Sequence, residues 1–147
     1  MAVHSNASIG DCRVLIIEDD YFLGDDLATA LRTRGIQVIG PALTLSDATS
    51  GKCDDCDIAI LDINLRGSSA YPIADELMRI GKPFVFATGY SAHVIPERFR
   101  HIPLWEKPYD AARLAADIAE LCALAPCLRN PRPPGAGSER PFLMHLT

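Results

Sequence analysis

The sequence predicts an α/β domain in which a five-stranded parallel sheet lies between two layers of helices. Short apolar runs of strand length alternate with segments of helical periodicity, which is the pattern of a parallel sheet with helices on its faces. Three of these runs are apolar throughout, as strands buried on both faces are. A length of 147 residues, with 48% apolar and 22% charged residues, fits one globular domain with a proper core.

The strands are predicted from the apolar runs in chain order. They are Arg13 to Ile17, Ile36 to Ile39, Ile58 to Leu61, Phe84 to Ala87 and Ile102 to Trp105.

Three segments between or after the strands carry apolar residues at helical spacing. They run from Leu23 to Leu31, from Ile73 to Ile80 and from Leu114 to Ala125. Gly35 and Gly81 follow the first two as helix stops, and Asp110 precedes the third as its N-cap.

The two remaining crossovers carry weaker signals. Ser46 to Gly51 allows a short helix. Ala92 to Arg100 contains Pro96, which breaks a helix interior, so we expect this segment to be short or irregular. Five strands and five helices then give three layers joined by right-handed crossovers.

The composition separates this domain from the two ends of the chain. We predict a flexible N-terminus over residues 1–11, the domain over 12–125 and a largely disordered tail over 126–147. The tail contains five prolines and three arginines against one glutamate, and such a segment cannot bury a core. Subtracting the tail's +2 from the net charge of −5 leaves −7 for the rest. No output domain is expected after the last helix.

The charge and the apolar runs exclude several classes of function. A nucleic-acid binder is usually basic, whereas this chain is acidic. No apolar run approaches the roughly 20 residues that span a bilayer, and no signal peptide is visible, so we expect a cytoplasmic protein without membrane insertion.

The five cysteines indicate reduced, buried or exposed thiols rather than a disulfide framework. Cys53 and Cys56 have the spacing of half a zinc site. The second pair that such a site needs is absent, because Cys122 and Cys127 are wrongly spaced and no histidine pair lies near. We therefore expect the thiols to pack rather than to bind metal.

Polar residues collect where the predicted strands end. All of them lie at the carboxyl edge of the sheet, where open α/β folds bind ligands. They are Glu18, Asp19 and Asp20 after the first strand, Asp62 after the third, Thr88 at the end of the fourth and Lys107 after the fifth.

This set of side chains predicts a phosphoryl-transfer site. Carboxylates about 4 Å apart repel each other by about 4 kcal/mol at an effective dielectric of 20, and a divalent cation removes that cost. Because all the ligands are hard oxygens, Mg²⁺ is the expected ion. Lys107 and Thr88 supply a cation and a hydroxyl for a phosphoryl group. Asp62 would then be the nucleophile that forms an acyl phosphate.

Four segments of this sequence resemble the receiver domains of two-component response regulators. They are Val14 to Asp20, Ile60 to Gly67, Phe84 to Tyr90 and Glu106 to Tyr109. The resemblance covers Cys12 to about Ala125. The run from Phe86 to Tyr90 is similar to the signature of the FAT GUY subgroup, which consists mostly of single-domain receivers associated with kinases of the HWE and related classes.

The resemblance implies a flavodoxin-like sheet with strand order 2-1-3-4-5 and a role for each site residue. Asp19 is implied as a direct Mg²⁺ ligand, Glu18 as one acting through water, and Asp62 as the phosphoacceptor. The backbone carbonyl of Asn64 is implied as a further metal ligand, and Thr88 and Lys107 as groups that contact the phosphoryl oxygens. A cis peptide before Pro108 is also implied.

One position departs from the family. Receivers usually carry an aromatic residue three positions before the lysine, whereas this chain has Leu104. The neighbouring Trp105 points to the other face of a strand and cannot replace it. We therefore expect the output region to include Gly89, Tyr90 and Leu104, and we hypothesise that phosphorylation orders Gly89 to Arg100.

The expected function is that of a single-domain response regulator in a phosphorelay. A histidine kinase would phosphorylate Asp62, and the phosphoprotein would switch a downstream protein target or drain phosphate from the kinase. Autophosphorylation from small donors and autodephosphorylation are expected, without enzymatic turnover. Two alternatives stay open: a phosphate-independent adaptor, and a Mg²⁺-dependent aspartyl phosphohydrolase, which would require an acid/base residue where this chain has Asn64.

Overall fold

A computed structural model of the chain describes residues 10–48, 51–89 and 94–124. Its centre is a five-stranded parallel sheet. The strands are β1 (Arg13–Ile17), β2 (Gln37–Ala42), β3 (Ile58–Leu61), β4 (Phe84–Thr88) and β5 (Leu104–Glu106). They lie side by side in the order β2-β1-β3-β4-β5, so β2 and β5 form the edges.

The helices lie between and after these strands. They are α1 (Tyr21–Thr33), α2 (Leu45–Ala48), α3 (Lys52–Asp55), α4 (Tyr71–Arg79) and α5 (Ala111–Leu124), together with a 3₁₀ helix over Glu97–Phe99. A short antiparallel hairpin pairs Asn64–Leu65 with Ser68–Ser69. This arrangement confirms the predicted α/β fold class.

The sheet separates two hydrophobic cores because successive strand residues point to opposite faces. In β1, for example, Leu15 and Ile17 enter one core, and Val14 and Ile16 enter the other. The first core also holds residues of α4 and the 3₁₀ helix, such as Ile73, Leu77 and Phe99. The second core holds residues of α1 and α5, such as Leu27, Leu31, Leu114 and Ile118.

The predicted helix ends match the described ones closely. Asp20 caps α1, since its carboxylate accepts the backbone N–H groups of Phe22 and Leu23 at 3.0 and 3.1 Å. Asp110 opens α5 and accepts the N–H of Ala112 at 2.9 Å. Gly35 follows α1 at a φ of 84°. Asp20 therefore acts as the N-cap of α1.

Two edge strands differ from their predicted bounds. β2 runs from Gln37 to Ala42 rather than from Ile36 to Ile39, because the edge position tolerates Pro41, which has no N–H for a central ladder. β5 begins at Leu104 rather than Ile102. Ile102 belongs instead to the turn that closes on Phe99, and Pro103 follows it. The differences in the bounds of β2 and β5 therefore come from Pro41, Pro103 and the positions of the two strands at the edges of the sheet.

The glycine at position 40 is required by close packing inside β2. Its φ is 97°, and an added Cβ would lie 2.7 Å from the Ala42 nitrogen and 2.8 Å from the Ile16 carbonyl oxygen. The pairing of β1 with β2 shifts register between Leu15 and Ile17, beside this glycine. The irregular edge strand is thus compatible only with glycine here.

The weak crossovers are short, as predicted, but their boundaries differ. The first contains α2 and a second short helix, α3, which the sequence analysis did not predict. Residues 49 and 50, predicted to be helical, lie outside the described residues. In the second crossover, the described part is a 3₁₀ helix that follows Pro96. Residues 90–93, at the start of this crossover, also lie outside the described residues.

The cysteines correct the expectation that all five thiols are free. Cys12 and Cys122 are paired as a disulfide, with Cα atoms 5.8 Å apart and both side chains fully buried. This pair joins the residue before β1 to the last turns of α5, which the spacing of 110 residues did not suggest. Cys53 and Cys56 are buried free thiols that contact backbone carbonyls, as predicted for packing cysteines.

The ends of the chain are described only in part. Residue 10 lies against the domain, where the Gly10 carbonyl accepts the Gln37 side-chain N–H at 2.9 Å. The rest of the predicted flexible N-terminus and the predicted tail lie outside the described residues. Within the described part of the chain, no helix is long and apolar enough to cross a membrane.

Candidate functional site

The ends of β1 and β3 bring the predicted acidic residues together. The Asp62 N–H donates to the Ile17 carbonyl at 2.8 Å, which continues the β1–β3 ladder by one step. On the other side of β1, the Glu18 N–H donates to the Ala42 carbonyl at 3.0 Å. The backbone pairing of three adjacent strands therefore fixes where the carboxylates of Glu18, Asp19 and Asp62 emerge.

These three carboxylates form a cluster of metal-ligand type. One oxygen from each of Glu18, Asp19 and Asp62 lies within 4.8 Å of the others. Glu18 and Asp62 are 3% and 5% exposed, so water screens their charges poorly. Hard oxygen donors at this separation fit Mg²⁺, which takes one or two carboxylates and keeps several waters. The residues present are thus suited to the ion that the sequence analysis expected.

Lys107 bridges two of the three carboxylates. Its Nζ lies 2.8 Å from Glu18 Oε1 and 2.8 Å from Asp62 Oδ2. Burial alone would lower the pKa of Lys107, but its hydrogen bonds to Asp62 and Glu18 outweigh burial and raise it. The ammonium group is therefore charged and already positioned at the oxygen of the predicted nucleophile.

Glu18 is the most confined of the acids. Its Oε2 accepts the Asp20 N–H at 2.9 Å. Burial raises the pKa of Glu18 to about 7, against the opposing effects of Lys107 and the Asp20 N–H. Helix α1 passes close above it at Gly24, where an added Cβ would lie 3.7 Å from Glu18 Cγ and 3.0 Å from Pro41 Cγ. A glycine in the helix thus allows α1 to pack closely on Pro41, next to the Glu18 side chain.

Asp19 is held by a backbone group that the sequence analysis missed. Its Oδ2 accepts the Arg66 N–H at 2.8 Å. Arg66 has a φ of 53°, and it lies in the turn of the Asn64–Ser69 hairpin, where the Gly67 N–H donates to Asn64 Oδ1 at 3.0 Å. An Asn-x-x-Gly turn was visible in the sequence, but nothing local indicated that its N–H would reach a residue 47 positions earlier.

The hairpin also supports the predicted nucleophile. The Asn64 N–H donates to Asp62 Oδ1 at 3.1 Å, while Asp62 Oδ2 faces Lys107. Each oxygen of Asp62 therefore has a donor that orients the carboxylate. The Asn64 backbone, which was implied as a metal ligand, lies directly beside this carboxylate, and its side-chain oxygen is engaged by Gly67.

The expected switch residues fall at the same edge. Thr88 is 1% exposed at the end of β4, and its carbonyl accepts the Lys107 N–H at 2.9 Å. Gly89 is exposed. Leu104 packs against the first core and Trp105 against the second, which confirms that the two side chains lie on opposite faces. Tyr90, the remaining residue of the predicted output region, lies outside the described residues.

Tyr109 is a second feature of the site that the sequence analysis did not identify. Its ring packs against the second core, and its hydroxyl is buried without a hydrogen-bond partner in the described part of the chain. Burial, followed by the negative charge of Glu18, raises the pKa of the Tyr109 phenol to about 12. The one sequence signal that could have pointed to Tyr109 is its position two residues after Lys107.

The two peptide bonds before Pro41 and Pro108 are cis, as implied for Pro108.

Comparison with known proteins identifies the fold and the family. No protein-family model matches the chain. The solution structure of SdrG from Sphingomonas melonis Fr1 is 32% identical, with a TM-score of 0.63 over 78% of this chain and 98% of that one. A CheY-like response-regulator receiver domain protein from Methanospirillum hungatei JF-1 has the same fold, at 20% identity and a TM-score of 0.67 over 78% of this chain and 96% of that one. The chain belongs to the response-regulator receiver family.

A curated relative agrees with this family. The sensory transduction protein LytT of Bacillus cereus is 30% identical over 111 residues, which make up 72% of this chain and 45% of LytT. The receiver domain thus spans less than half the length of that relative. A BeF3-activated conformation of SdrG, from Pseudomonas melonis Fr1, is 34% identical to this receiver, with a TM-score of 0.61 over 75% of this chain and 95% of that one.

Proposed function

We propose that this receiver domain is a single-domain response regulator whose Asp62 accepts a phosphoryl group from a histidine kinase. The observation that carries the proposal is the position of Lys107, which bridges Glu18 and Asp62 at 2.8 Å beside a third carboxylate. A structural ion pair needs only one acid. Three clustered acids beside one lysine leave surplus negative charge, which suits a cation and a phosphoryl group.

Phosphoryl transfer would proceed by in-line attack of an Asp62 oxygen on phosphorus. The new O–P bond forms as the N–P bond of the kinase phosphohistidine breaks, and the imidazole leaves with the electron pair of that bond. Asp62 is held ready for this attack by the Asn64 N–H. Lys107 would then donate to a phosphoryl oxygen, and the Thr88 hydroxyl is the second donor that we assign to the phosphoryl group.

Glu18, Asp19 and Asp62 would hold Mg²⁺, with the Asn64 carbonyl and waters as further ligands. When bound, the ion neutralises charge that develops on the phosphoryl oxygens. The Arg66 N–H orients Asp19 for this role, and the Asp20 N–H orients Glu18. We keep the assignment of Glu18 as a ligand through water, since both of its oxygens already have hydrogen-bond donors.

The segment from Phe86 to Tyr90 supports assignment to the FAT GUY subgroup, and with it a kinase of the HWE or a related class. We place the protein in the cytoplasm, acting in a phosphorelay through contacts with other proteins and not with nucleic acid. It would either switch a downstream target or drain phosphate from its kinase. BeF3 mimics an acyl phosphate, and a BeF3-activated conformation of SdrG fits the same chemistry.

The phosphohydrolase alternative lacks a proton-shuttling residue. Asn64 stands two residues after Asp62, and its side-chain oxygen is occupied by the Gly67 N–H. An amide cannot act as a general acid or base at neutral pH. The adaptor alternative requires no phosphate at all, so phosphorylation assays separate it from the proposal.

The proposal is tested by phosphotransfer from purified histidine kinases to the wild type and to Asp62→Asn. We expect transfer to the wild type and none to the variant. Asp110→Asn, which alters an exposed carboxylate that caps α5, is the matched control and should accept phosphate normally. Pull-down of partner proteins with phosphorylated and unphosphorylated protein would then distinguish a switch from a phosphate sink. A failure of every kinase and small donor to phosphorylate the wild type would favour the adaptor.

A further inference from the structure

The buried hydroxyl of Tyr109 has no structural explanation in the phosphate-free site. Its oxygen is inaccessible to solvent and finds no hydrogen-bond partner among the described residues. A buried polar group without a partner lowers the stability of the folded state. A phenylalanine ring would fill the same space against the second core without that cost. We therefore look for a role of this hydroxyl that the contacts of the described residues do not explain.

The Tyr109 ring lies on the same side of the sheet as helix α1, which packs next to the Glu18 side chain. Tyr109 lies two residues after Lys107, and its ring packs into the core beneath α1 and α5. Of the charged groups that act on the hydroxyl, Glu18 has the strongest effect, followed by Lys107, Asp62 and Asp20. Because the phenol keeps its proton at neutral pH, it can serve as a hydrogen-bond donor to a carboxylate.

Glu18 is the group that would lose one of its two donors if Lys107 turned to a phosphoryl group on Asp62. In the structure its Oε1 is paired with Lys107 at 2.8 Å and its Oε2 with the Asp20 N–H at 2.9 Å. A phosphoryl group on Asp62 competes for the Lys107 ammonium, since its oxygens carry more charge than a carboxylate oxygen. Glu18 is only 3% exposed, so bulk water cannot readily replace the lost donor.

We propose that Tyr109 is a positioning residue whose hydroxyl donates to Glu18 when Lys107 turns to the phosphoryl group. The hydroxyl would keep the Glu18 carboxylate in place at the edge of the metal site during and after transfer. The inference rests on the proposed function, because the donor is needed only if Asp62 carries a phosphoryl group. The Tyr109 hydroxyl would stabilise the phosphorylated state and lower the stability of the unphosphorylated one.

The test compares Tyr109→Phe with Tyr71→Phe, a matched loss of a buried hydroxyl on the opposite face of the sheet. Tyr71 packs against the first core, where its ring stacks on Phe99. Two quantities are measured for each protein: the urea midpoint of unfolding without metal, and the affinity for beryllofluoride with Mg²⁺ from amide shifts in NMR spectra. Beryllofluoride serves as the phosphoryl mimic.

For Tyr109→Phe we expect a urea midpoint equal to or above that of the wild type, together with about ten-fold weaker beryllofluoride binding. Tyr71→Phe should bind beryllofluoride like the wild type. Unchanged binding by Tyr109→Phe, or equal weakening in both variants, would overturn the inference while leaving the proposed function intact. A wild type that binds no beryllofluoride would overturn both.

Discussion

At the scale of single residues, the site is an arrangement of hydrogen-bond donors around surplus negative charge. Asp19 is held by the Arg66 N–H, Asp62 by the Asn64 N–H and Lys107, and Glu18 by the Asp20 N–H and Lys107. Only one of these donors carries a full positive charge. We therefore expect the carboxylates to repel one another when no cation is bound, and neutralising Asp19, which is not paired with Lys107, should relieve that repulsion.

We predict that Asp19→Asn raises the metal-free free energy of unfolding by about 1 kcal/mol, because it removes one of three clustered charges. An asparagine oxygen can still accept the Arg66 N–H. The same variant should lose the stabilisation that Mg²⁺ gives the wild type, which follows from preferential binding to the folded state. Urea unfolding with EDTA and with Mg²⁺ measures both effects.

The control for this experiment is Asp26→Asn, an exposed acid on α1 to which we assign no site role. It should retain the response to Mg²⁺. If Asp19→Asn destabilised the metal-free protein, the account of charge repulsion would be wrong. If Mg²⁺ stabilised the variant as fully as the wild type, Asp19 would not be a metal ligand.

At the scale of elements, the parallel sheet explains why so much of the site could be predicted. Parallel strands end at one edge, so acidic residues that follow β1 and β3 must meet whatever the details of the helices. The buried strands β1 and β3 were predicted with correct bounds because they are apolar on both faces. The edge strands were not, because β2 continues through Pro41 at the edge of the sheet and Pro103 precedes the start of β5, and hydrophobicity reveals neither.

What could not be predicted depends on contacts between elements that lie far apart in the sequence. The Arg66 N–H reaches Asp19 only because a hairpin turns back over the sheet edge. The pairing of Cys12 with Cys122 depends on how α5 packs beside β1. The Tyr109 hydroxyl is unusual only because the fold buries it without a partner. Each of these is a long-range consequence of packing, and no local pattern encodes it.

The first turn of α1 presents an exposed aromatic pair at the rim of the site. Tyr21 and Phe22 are 65% and 77% exposed and directly follow the acidic residues. A kinase domain that delivers phosphate to Asp62 must cover this rim, so burial of the two rings would favour the complex. We predict that Tyr21→Ala with Phe22→Ala lowers kcat/KM for transfer from the kinase about ten-fold.

Transfer from acetyl phosphate separates this docking effect from damage to the site. The double variant should react with acetyl phosphate at the wild-type rate, because a small donor does not use the aromatic pair. Met78→Ala, which removes an exposed apolar side chain from α4, is the control and should leave both reactions unchanged. Equal loss with both donors would mean that the aromatic pair supports the site itself.

The output region is the other element for which the structure sharpens an expectation. Phe99 is fully buried, stacks on Tyr71 at 5.3 Å and lies beneath the Arg98 guanidinium, which pairs with Asp75 at 2.9 Å. These contacts fix the 3₁₀ helix to α4 before any phosphorylation. We therefore expect phosphorylation to act mainly on the residues nearer Thr88 rather than uniformly on Gly89 to Arg100.

Amide shifts with and without beryllofluoride and Mg²⁺ test this expectation. The largest changes should fall at Gly89 and at Val94, with small changes at Phe99. Leu104, which packs on the same core as Phe99, should also change little. If Phe99 and Leu104 shifted as much as Gly89, the aromatic contacts would take part in the switch. Unchanged shifts across the whole stretch would remove the proposed output region.

At the scale of the whole molecule, the domain is closed by contact between its two ends. Cys12 precedes β1 and Cys122 lies near the end of α5, so their disulfide spans almost the entire described domain. A cross-link over 110 residues restricts the unfolded chain strongly. The pair also completes the second core, since both side chains are buried there.

We predict that dithiothreitol lowers the free energy of unfolding of the oxidised wild type by about 2–4 kcal/mol. It should leave the stability of Cys122→Ala unchanged, because that variant has no cross-link to reduce. Thiol titration of the denatured protein gives a direct check. Reduction should raise the number of reactive thiols by two, because it frees Cys12 and Cys122. Five reactive thiols before reduction would contradict the pairing in the protein as purified.

The measurement that most directly tests the central claim is intact-protein mass spectrometry after incubation with phosphoramidate. With Mg²⁺, the wild type should gain the mass of one phosphoryl group, and peptide mapping should place it on Asp62. Asp62→Asn should gain none, and EDTA should suppress the gain in the wild type. A modified Asp62→Asn, or a wild type that takes no phosphate from small donors or any kinase, would contradict the account.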